Sequence, residues 1–434
     1  MAWNLKNFSE VSRINGAPSF ATRILSSIER KRRTSVRHCI ISMQPDAKAV
    51  MGKHHIYNTH DFQAIAKRRL PAALYAYINN GAGDENSLAW NRHSFDAYEF
   101  IPRMLVDVSK RNQHIELFGI PYDSPFGISP VGLGALYRFD GDVALAKAAR
   151  AHNIPYVLSG ASLTRLERVA EHAPGMWFQA YLPGDPEEVR RLLQRVAIAG
   201  IHHLVITVDL PVSVNPDRYS RFGFSSPLRP SIDLFMQGLT HPRWTLGTFV
   251  RALATFGMPH LENWRADRGN PILSSTAQKD VKNRDNFTWD HIKAARDIWA
   301  GKLIIKGIMS AEDARMAQLC GADGIIVSNH GGRQADSVAA PLSVLADIVS
   351  AVPDLVVMMD GGVRRGSDVL KALALGARCV FAGRPFNFAL AAGGRAGVET
   401  AIELIREEIS RDMAHLGICA TEEMKAGRLR CRSR

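Results

Sequence analysis

The sequence predicts an α/β protein folded as a (β/α)8 TIM barrel, with a long insertion after strand 4 and a disordered, basic N-terminal extension. Three observations carry this. Eight short apolar, β-branched runs recur along the chain, and most are followed by stretches of helical periodicity. Each run is apolar throughout, as parallel strands buried on both faces require, and ends in polar or glycine-rich residues. The connections have barrel lengths everywhere but one. Barrels of this kind place their chemistry at the C-terminal ends of the strands, so the polar residue closing each run is a candidate site residue.

Residues 1–55 form the extension. They hold ten Lys or Arg against three Asp or Glu, clustered as "ERKRRTSVRH", and supply over half of the formal +12 net charge. The cluster has no interleaved aromatics and no recognisable binding module, so nucleic acid is not the expected partner. A solvated, disordered leader is the expectation. Its Arg- and Ser-rich, acid-poor character also fits a mitochondrial targeting peptide, and a true start at Met43 or Met51 fits equally well.

Residues 56–434 form the barrel domain. It opens with helix, since "THDFQAIAKRRLPAALYAYINNGAG" places Phe62, Ile65 and Ala66 at helical spacing. The eight strands follow at "PFGISPVG", "IPYVLSGAS", "MWFQAYLPGD", "HHLVITVDLP", "KLIIKG", "DGIIVSNHGG", "DLVVMMDGG" and "ARCVFAGRP", with helices such as "DPEEVRRLLQRVAIAG" and "SAEDARMAQLCGA" between them. About 90 residues separate the fourth strand from the fifth, far beyond the usual barrel loop of roughly two to six. This insertion contains "PLRPSIDLFMQGLTHPRWTLGTFVRALATFGMPHLENW", rich in Phe, Leu, Trp and Arg with few acids. It suits a lid over the barrel mouth, a subunit contact, or a segment lying in a membrane interface.

The chain of 434 residues is 46% hydrophobic and 22% charged, enough to bury a large core. Its five cysteines form no CxxC pair, which points to a reducing compartment and no metal site. No apolar run approaches the roughly 20 residues that span a bilayer, and no signal peptide opens the chain. The expected location is cytoplasmic, at the inner face of the cell membrane if the insertion binds lipid, or mitochondrial if the extension is a targeting peptide.

The last two strands end in "DGGVRRG" and "AGRP". In barrels that is the usual phosphate position, where glycines let backbone N–H groups approach and Arg364 and Arg384 add charge. "IIVSNHGGRQAD", residues 325–336, sets His330 three residues from Arg333. A carboxylate at another strand end, Asp209, suits a partner that fixes the imidazole tautomer, and Arg333 offers a planar fork to a carboxylate. Lys306 closes "LIIKG", where a near-buried ammonium needs an anionic partner.

From Tyr57 to about Gly417 the chain resembles the FMN-dependent α-hydroxy-acid dehydrogenase and oxidase family, which spans lactate, mandelate and glycolate enzymes. "SNHGGRQAD" is the most specific motif, and "FQAY", "TVD", "IKG", "DGGVRRGSDVLKALALGA" and "GRP" fall in family order. The resemblance implies oxidation of an L-2-hydroxy acid to the 2-oxo acid with FMN as cofactor. It makes His330 the base, Asp209 its partner, Arg333 and Tyr77 the carboxylate site and Tyr181 a contact on the substrate hydroxyl side. For FMN it implies Pro130, Val131, Gly132 and Ser159 along the ring and ribityl chain, Gln179 and Thr207 at the pyrimidine edge, and Lys306 near N1 and the C2 carbonyl. Ser328 joins these contacts, while Asp360, Gly362, Arg364, Gly383 and Arg384 hold the ribityl and phosphate end. The implied assembly is a homotetramer.

One position departs from the family pattern, because the arginine usual seven residues after the Asp of "TVD" is Pro216 here. Arg218 and Arg221 are the candidates to replace its charge, and Arg218 is taken as a substrate-binding residue. A flavoprotein without hydroxy-acid activity is the alternative that Pro216 raises. The FMN-dependent isopentenyl diphosphate isomerase type shares the phosphate end but lacks the His-Gly-Gly-Arg apparatus. The insertion resembles the loop of membrane-associated dehydrogenases, so a quinone is the expected electron acceptor and peripheral membrane contact the expected habit. A soluble oxidase that makes hydrogen peroxide is the alternative. Ala161, small where small-substrate oxidases often carry an aromatic, leaves room for an aromatic or branched acid.

Overall fold

Eight parallel strands surround a common axis in the computed structural model, which describes residues 55–212, 217–225, 229–274 and 284–432. They are β1 (Phe126–Ile128), β2 (Val157–Ser159), β3 (Trp177–Ala180), β4 (His203–Thr207), β5 (Lys302–Ile308), β6 (Gly324–Val327), β7 (Val356–Asp360) and β8 (Cys379–Ala382). Each pairs with the next from β2 to β8, and β8 pairs with β1. A parallel bridge from Ile128 to Tyr156 brings β1 back beside β2 and closes the ring. All eight expected strands are present. The basic extension lies outside the described residues but for His55, and so does Pro216.

Three helices precede the ring: α1 (Thr59–Arg69), α2 (Ala72–Asn79) and α3 (Asn86–His93). The cap of α1 is Asn58, one residue before the Thr-His-Asp start read from the sequence. Its side chain accepts from His60 N at 2.9 Å while Asp61 accepts from Asn58 N at 3.1 Å. Pro71 separates α1 from α2, because proline lacks the N–H that would continue the first helix. The crossover helices are α4 (Gly141–Ala151), α5 (Leu166–His172), α6 (Pro186–Ile198), and then, beyond the insertion helices α7 (Ile232–Thr240) and α8 (Arg251–Phe256), α9 (Trp289–Ile298), α10 (Ala311–Leu319), α11 (Pro341–Ala351), α12 (Gly366–Ala374) and α13 (Arg384–Leu416).

A compact apolar core fills the barrel interior at the N-terminal ends of the strands. There Val157, Trp177, Val205, Ile304, Ile326, Met358, Cys379 and Phe381 meet Ile115, Leu117 and Tyr122 from an antiparallel hairpin, Ile115–Leu117 with Ile120–Tyr122. The hairpin stops the bottom of the barrel and leaves its chemistry to the top. Trp177 is fully buried, and its indole N–H donates to the Tyr122 hydroxyl at 3.3 Å. The imidazole of His203 stacks on Trp177 at 5.0 Å.

The insertion crosses the open end of the barrel. Trp244 donates its indole N–H to Leu136 O at 2.7 Å, Asn263 donates to Thr164 O at 2.7 Å, and Trp264 stacks on Tyr181 at 4.8 Å. Of the three arrangements open to the sequence, this part takes that of a lid. Its outer helix α7 differs, with Ile232, Phe235, Met236 and Leu239 all exposed. Their i, i+3, i+4, i+7 spacing puts them on one helical face. Among the described residues no helix is long and apolar enough to cross a membrane.

Burial pushes His203 down to about 4, with His202 and Lys302 adding to the effect. The unfolded chain, near 6.5, therefore binds more protons between those values, and stability falls as pH drops from about 6.5 towards 4, by up to about 3 kcal/mol. Replacing His203 with Phe keeps a ring on Trp177 and removes the proton. Urea unfolding at several pH values is expected to show a flatter acid limb in the variant; parallel limbs for both proteins would contradict this origin.

Candidate active site

The ends of β4, β5 and β6 build the reactive corner. Beyond β6 the backbone enters the left-handed region for three consecutive residues, His330 (φ 57°), Gly331 (φ 66°) and Gly332 (φ 72°). Glycine takes this conformation freely; histidine pays about 1–3 kcal/mol for it. The turn is held by its surroundings. Asn329 exchanges two side-chain bonds with the buried Asn91 of α3, both 2.8 Å, and its Oδ1 accepts from Gly332 N at 3.1 Å. Arg384 donates to Gly331 O at 2.9 Å, and Ala82 N donates to Gly332 O at 2.9 Å. Asp336 accepts from the backbone N–H groups of Asp84 and Ser87, at 2.9 and 2.8 Å, which ties the far side of the loop to the start of α3.

Held this way, His330 places Nδ1 2.9 Å from Asp209 Oδ1. A neutral ring that donates from Nδ1 keeps a lone pair on Nε2, which is what a base requires. Burial raises the Asp209 pKa, but the charges of His330, Lys306 and Arg284 outweigh it and hold the carboxyl below its usual range. Gly307, with φ at 108°, lets the two strand ends approach. A Cβ there would lie 2.8 Å from Asp209 Cβ.

Lys306, 3% exposed, donates to Ser328 Oγ at 2.7 Å and lies 3.2 Å from Asp360 Oδ2, which also accepts from Ser129 Oγ at 3.2 Å. A buried ammonium thus has its anionic partner on β7. Across the cleft, the Arg333 guanidinium sits 4.7 Å from the Tyr77 ring and donates to Tyr77 O at 2.6 Å. Burial raises the Tyr181 pKa and Asp209 and Tyr77 add to it, so its hydroxyl stays protonated at neutral pH.

One cleft is lined by Tyr77, Pro130, Val131, Gly132, Ser159, Tyr181, Thr207, Lys306, His330, Arg333, Asp360, Gly362, Arg364, Gly383 and Arg384. Three more expected residues stand directly behind these. Asp209 bonds His330, Ser328 bonds Lys306, and Gln179 Oε1 accepts from Ser159 Oγ at 3.0 Å. Arg218 turns elsewhere, donating to Gly83 O at 2.6 Å and pairing with Asp84 at 3.4 Å, and Arg221 is exposed. Arg384 bonds the carbonyls of Ile78, Asn80 and Gly331, so it braces the wall of the cleft as well as lining it. Reading the sequence missed Asn91, Asn329, Asp336, Trp264 and Arg284. Asn329 and Asp336 lie inside the quoted motif, whereas nothing local in the sequence marks the other three.

The cleft has unmet polar demands of a definite kind. Gln179 Nε2, Thr207 Oγ1 and Asp360 Oδ1 are buried without a hydrogen-bond partner among the described residues. Arg364 is a half-buried cation whose side chain, among the described residues, bonds only the Val363 carbonyl, and its partial burial pushes it down to about 10, with Arg92 adding. It lies beside the start of α12, whose first N–H groups are taken by Asp368 and Glu408, and it shares the cleft with the Gly383–Arg384 turn that opens α13. A planar heterocycle with polar edges, carrying a phosphate on a chain, meets these demands together. Fold and site thus define a barrel flavoprotein.

Comparison with known proteins identifies the family. Residues 66–431 match the model of the FMN-dependent dehydrogenase family, and the chain belongs to it. It is 38% identical to an (S)-mandelate dehydrogenase of Pseudomonas putida over 364 residues, covering 84% of this chain and 91% of that one. It is 39% identical to an L-lactate dehydrogenase of Ectopseudomonas mendocina over 369 residues, covering 84% and 96%. The crystal structure of a monotopic membrane protein, (S)-mandelate dehydrogenase, superposes with a TM-score of 0.80 at 36% identity, over 87% of this chain and all of that one. A mandelate oxidase bound to (S)-2-phenylpropionate superposes with a TM-score of 0.72 at 32% identity, over 87% and 99%. The cofactor is FMN, and the unmet donors and acceptors of the cleft fit it.

Gly307→Ala is expected to push Asp209 away from His330 and lower kcat on the order of 100-fold while FMN stays bound. Gly175 also has positive φ, 84°, but open space around its Cα. Gly175→Ala is the control for backbone strain alone; equal turnover in the two variants would show that the close approach at Asp209 has no role.

Proposed function

We propose that the protein oxidises an L-2-hydroxy acid to the 2-oxo acid and passes the electrons to a quinone at a membrane surface. The observation that carries the first half is the His330–Asp209 pair, 2.9 Å apart, in one cleft with Arg333. Bound FMN supplies the two-electron acceptor. Arg333 holds the substrate carboxylate with a planar fork, backed by the Tyr77 ring. Tyr181 donates its hydroxyl proton towards the substrate hydroxyl side. As C–OH becomes C=O the substrate gives up two protons and two electrons; His330 Nε2 takes one proton, the electron pair and the other proton would pass to bound FMN, and the resulting imidazolium is stabilised by Asp209. Gln179 and Thr207 would hold the pyrimidine edge of FMN, where the charge of Lys306 would favour the reduced form. Arg364, with the Gly362 and Gly383–Arg384 turns of the same cleft, would hold the phosphate.

Ala161 lines the same cleft and contributes only a methyl group, which supports an aromatic or branched acid. The exposed face of α7 supports the membrane half. Its four apolar side chains are flanked by the exposed cations Arg229 and Arg243, the composition of an interfacial segment.

Anaerobic mixing with glycolate, L-lactate, (S)-mandelate and longer 2-hydroxy acids is expected to bleach the flavin, fastest with the bulkier acids. An FMN-loaded protein that none of them bleaches would overturn the reading. His330→Gln should retain FMN yet lose flavin reduction, by roughly 100-fold or more. Arg333→Lys should raise KM strongly, because an ammonium cannot replace a bidentate fork. For the acceptor, Ile232, Phe235, Met236 and Leu239 are replaced together by serine. The native chain should sediment with anionic vesicles and reduce quinone faster than oxygen, and the variant should stay in solution. Equal partitioning, or rapid peroxide formation by the native chain, would favour the soluble oxidase.

A further inference from the structure

Arg284 stands where the insertion returns to the barrel, and the reaction as described makes no use of it. The residue is 3% exposed. One nitrogen, Nη2, donates to Thr207 O at 2.8 Å, at the end of the strand that leads into Asp209. The other two, Nε and Nη1, are buried and have no hydrogen-bond partner among the described residues. The guanidinium carbon lies 5.2 Å from the centre of the Tyr181 ring and 5.5 Å from that of Phe287. Facing it in turn, Asp209 has a buried oxygen, Oδ2, that also lacks a partner among the described residues. A buried guanidinium is costly without an anion, and so is a buried carboxylate oxygen without a donor. The two groups form no direct ion pair, but the Thr207 carbonyl holds the guanidinium two residues before Asp209, near enough for its charge to act on that carboxylate.

We propose that Arg284 is a positioning residue of the oxidation, a fixed buried cation that stabilises the negative charge of Asp209 and packs Tyr181 against the cleft. The proposal rests on the roles given above to Asp209, His330 and Tyr181. Sequence reasoning sought a cation near this pair in Arg218 or Arg221, because position 216 is a proline. Arg218 is spent on Gly83 and Asp84, and Arg221 is exposed. Arg284 delivers the charge from the opposite end of the insertion, about 70 residues further along the chain. The charged and titratable groups facing Asp209 are His330, Lys306 and Arg284, and those facing Tyr181 are Asp209, Tyr77, Arg284 and Arg333. Lys306 is already paired with Asp360, so removing Arg284 leaves Asp209 with His330 as its one close partner.

The sign of the effect follows. Arg284 lowers the proton affinity of Asp209, so without it the carboxyl protonates at higher pH and the catalytic pair fails earlier on acidification. The test compares FMN-loaded wild type with Arg284→Gln, Arg284→Met and Arg284→Lys. In the neutral variants the acid limb of kcat/KM should move up on the order of one pH unit. The 13C carboxyl resonance of Asp209, assigned with Asp209→Asn, should titrate later on the pH scale by the same amount. Arg284→Lys keeps a cation and should hold both near wild type, and millimolar guanidinium should restore part of the lost turnover in Arg284→Met. A purely structural tie to Thr207 would lower the melting temperature and leave both midpoints in place, which would overturn the proposal. If the neutral variants fail to fold, Arg284→Lys decides alone, since a displaced limb with the cation retained refutes the charge role. Wild-type protein that oxidises no hydroxy acid would sink the functional reading, and the carboxyl titration would still decide whether Arg284 sets the charge of Asp209.

Discussion

The active site depends on a backbone turn that most side chains would refuse. His330 reaches Asp209 because three successive residues take left-handed φ values, and that conformation persists because the molecule surrounds it with bonds. Asn91 and Ala82 come from the N-terminal helical segment and Arg384 from the far end of the chain, and each grips the turn through a main-chain or amide contact. The N-terminal helices therefore do more than cover the barrel. They supply the clamps that keep a histidine in a glycine's conformation.

Charge balance is the second theme. The barrel mouth buries Lys306, Arg284 and Arg384 and half-buries Arg364, with the carboxylates Asp209 and Asp360 among them. An excess of buried cations is expensive when empty, and it suits a cleft that takes in an anionic cofactor and an anionic substrate. Each cation has a different neighbour: a β7 carboxylate, a β4 carbonyl with an aromatic ring, a helix start, and a set of loop carbonyls. The site thus divides its positive charge into separate posts, where a single patch would bind any anion.

Much of this was legible in the sequence because barrel strands announce both their burial and their ends. The eight runs were continuous and apolar, and the polar residues closing them, such as Asp209, Lys306 and His330, line or back one cleft. What stayed hidden was whatever depends on distant segments meeting. The plug hairpin has strands of only three residues each, too short for periodicity to register. Asn91 carries no mark of its partner 238 residues away. Trp264 looked like one more aromatic of a lipid-facing segment, yet it is buried against Tyr181, because a window of composition cannot tell the outer helix of an insertion from its returning arm.

That division within the insertion bears on heredity. Its outer helix presents Phe235 and Leu239 to the surroundings, while its returning arm carries Trp264 onto Tyr181 and Arg284 onto the strand before Asp209. One continuous stretch of coding sequence therefore holds both the helix proposed to seat the enzyme on a membrane and the arginine proposed to tune its reaction. A recombination event that exchanged the whole stretch between relatives would transfer address and chemistry as a single trait, and one that broke within it would separate them.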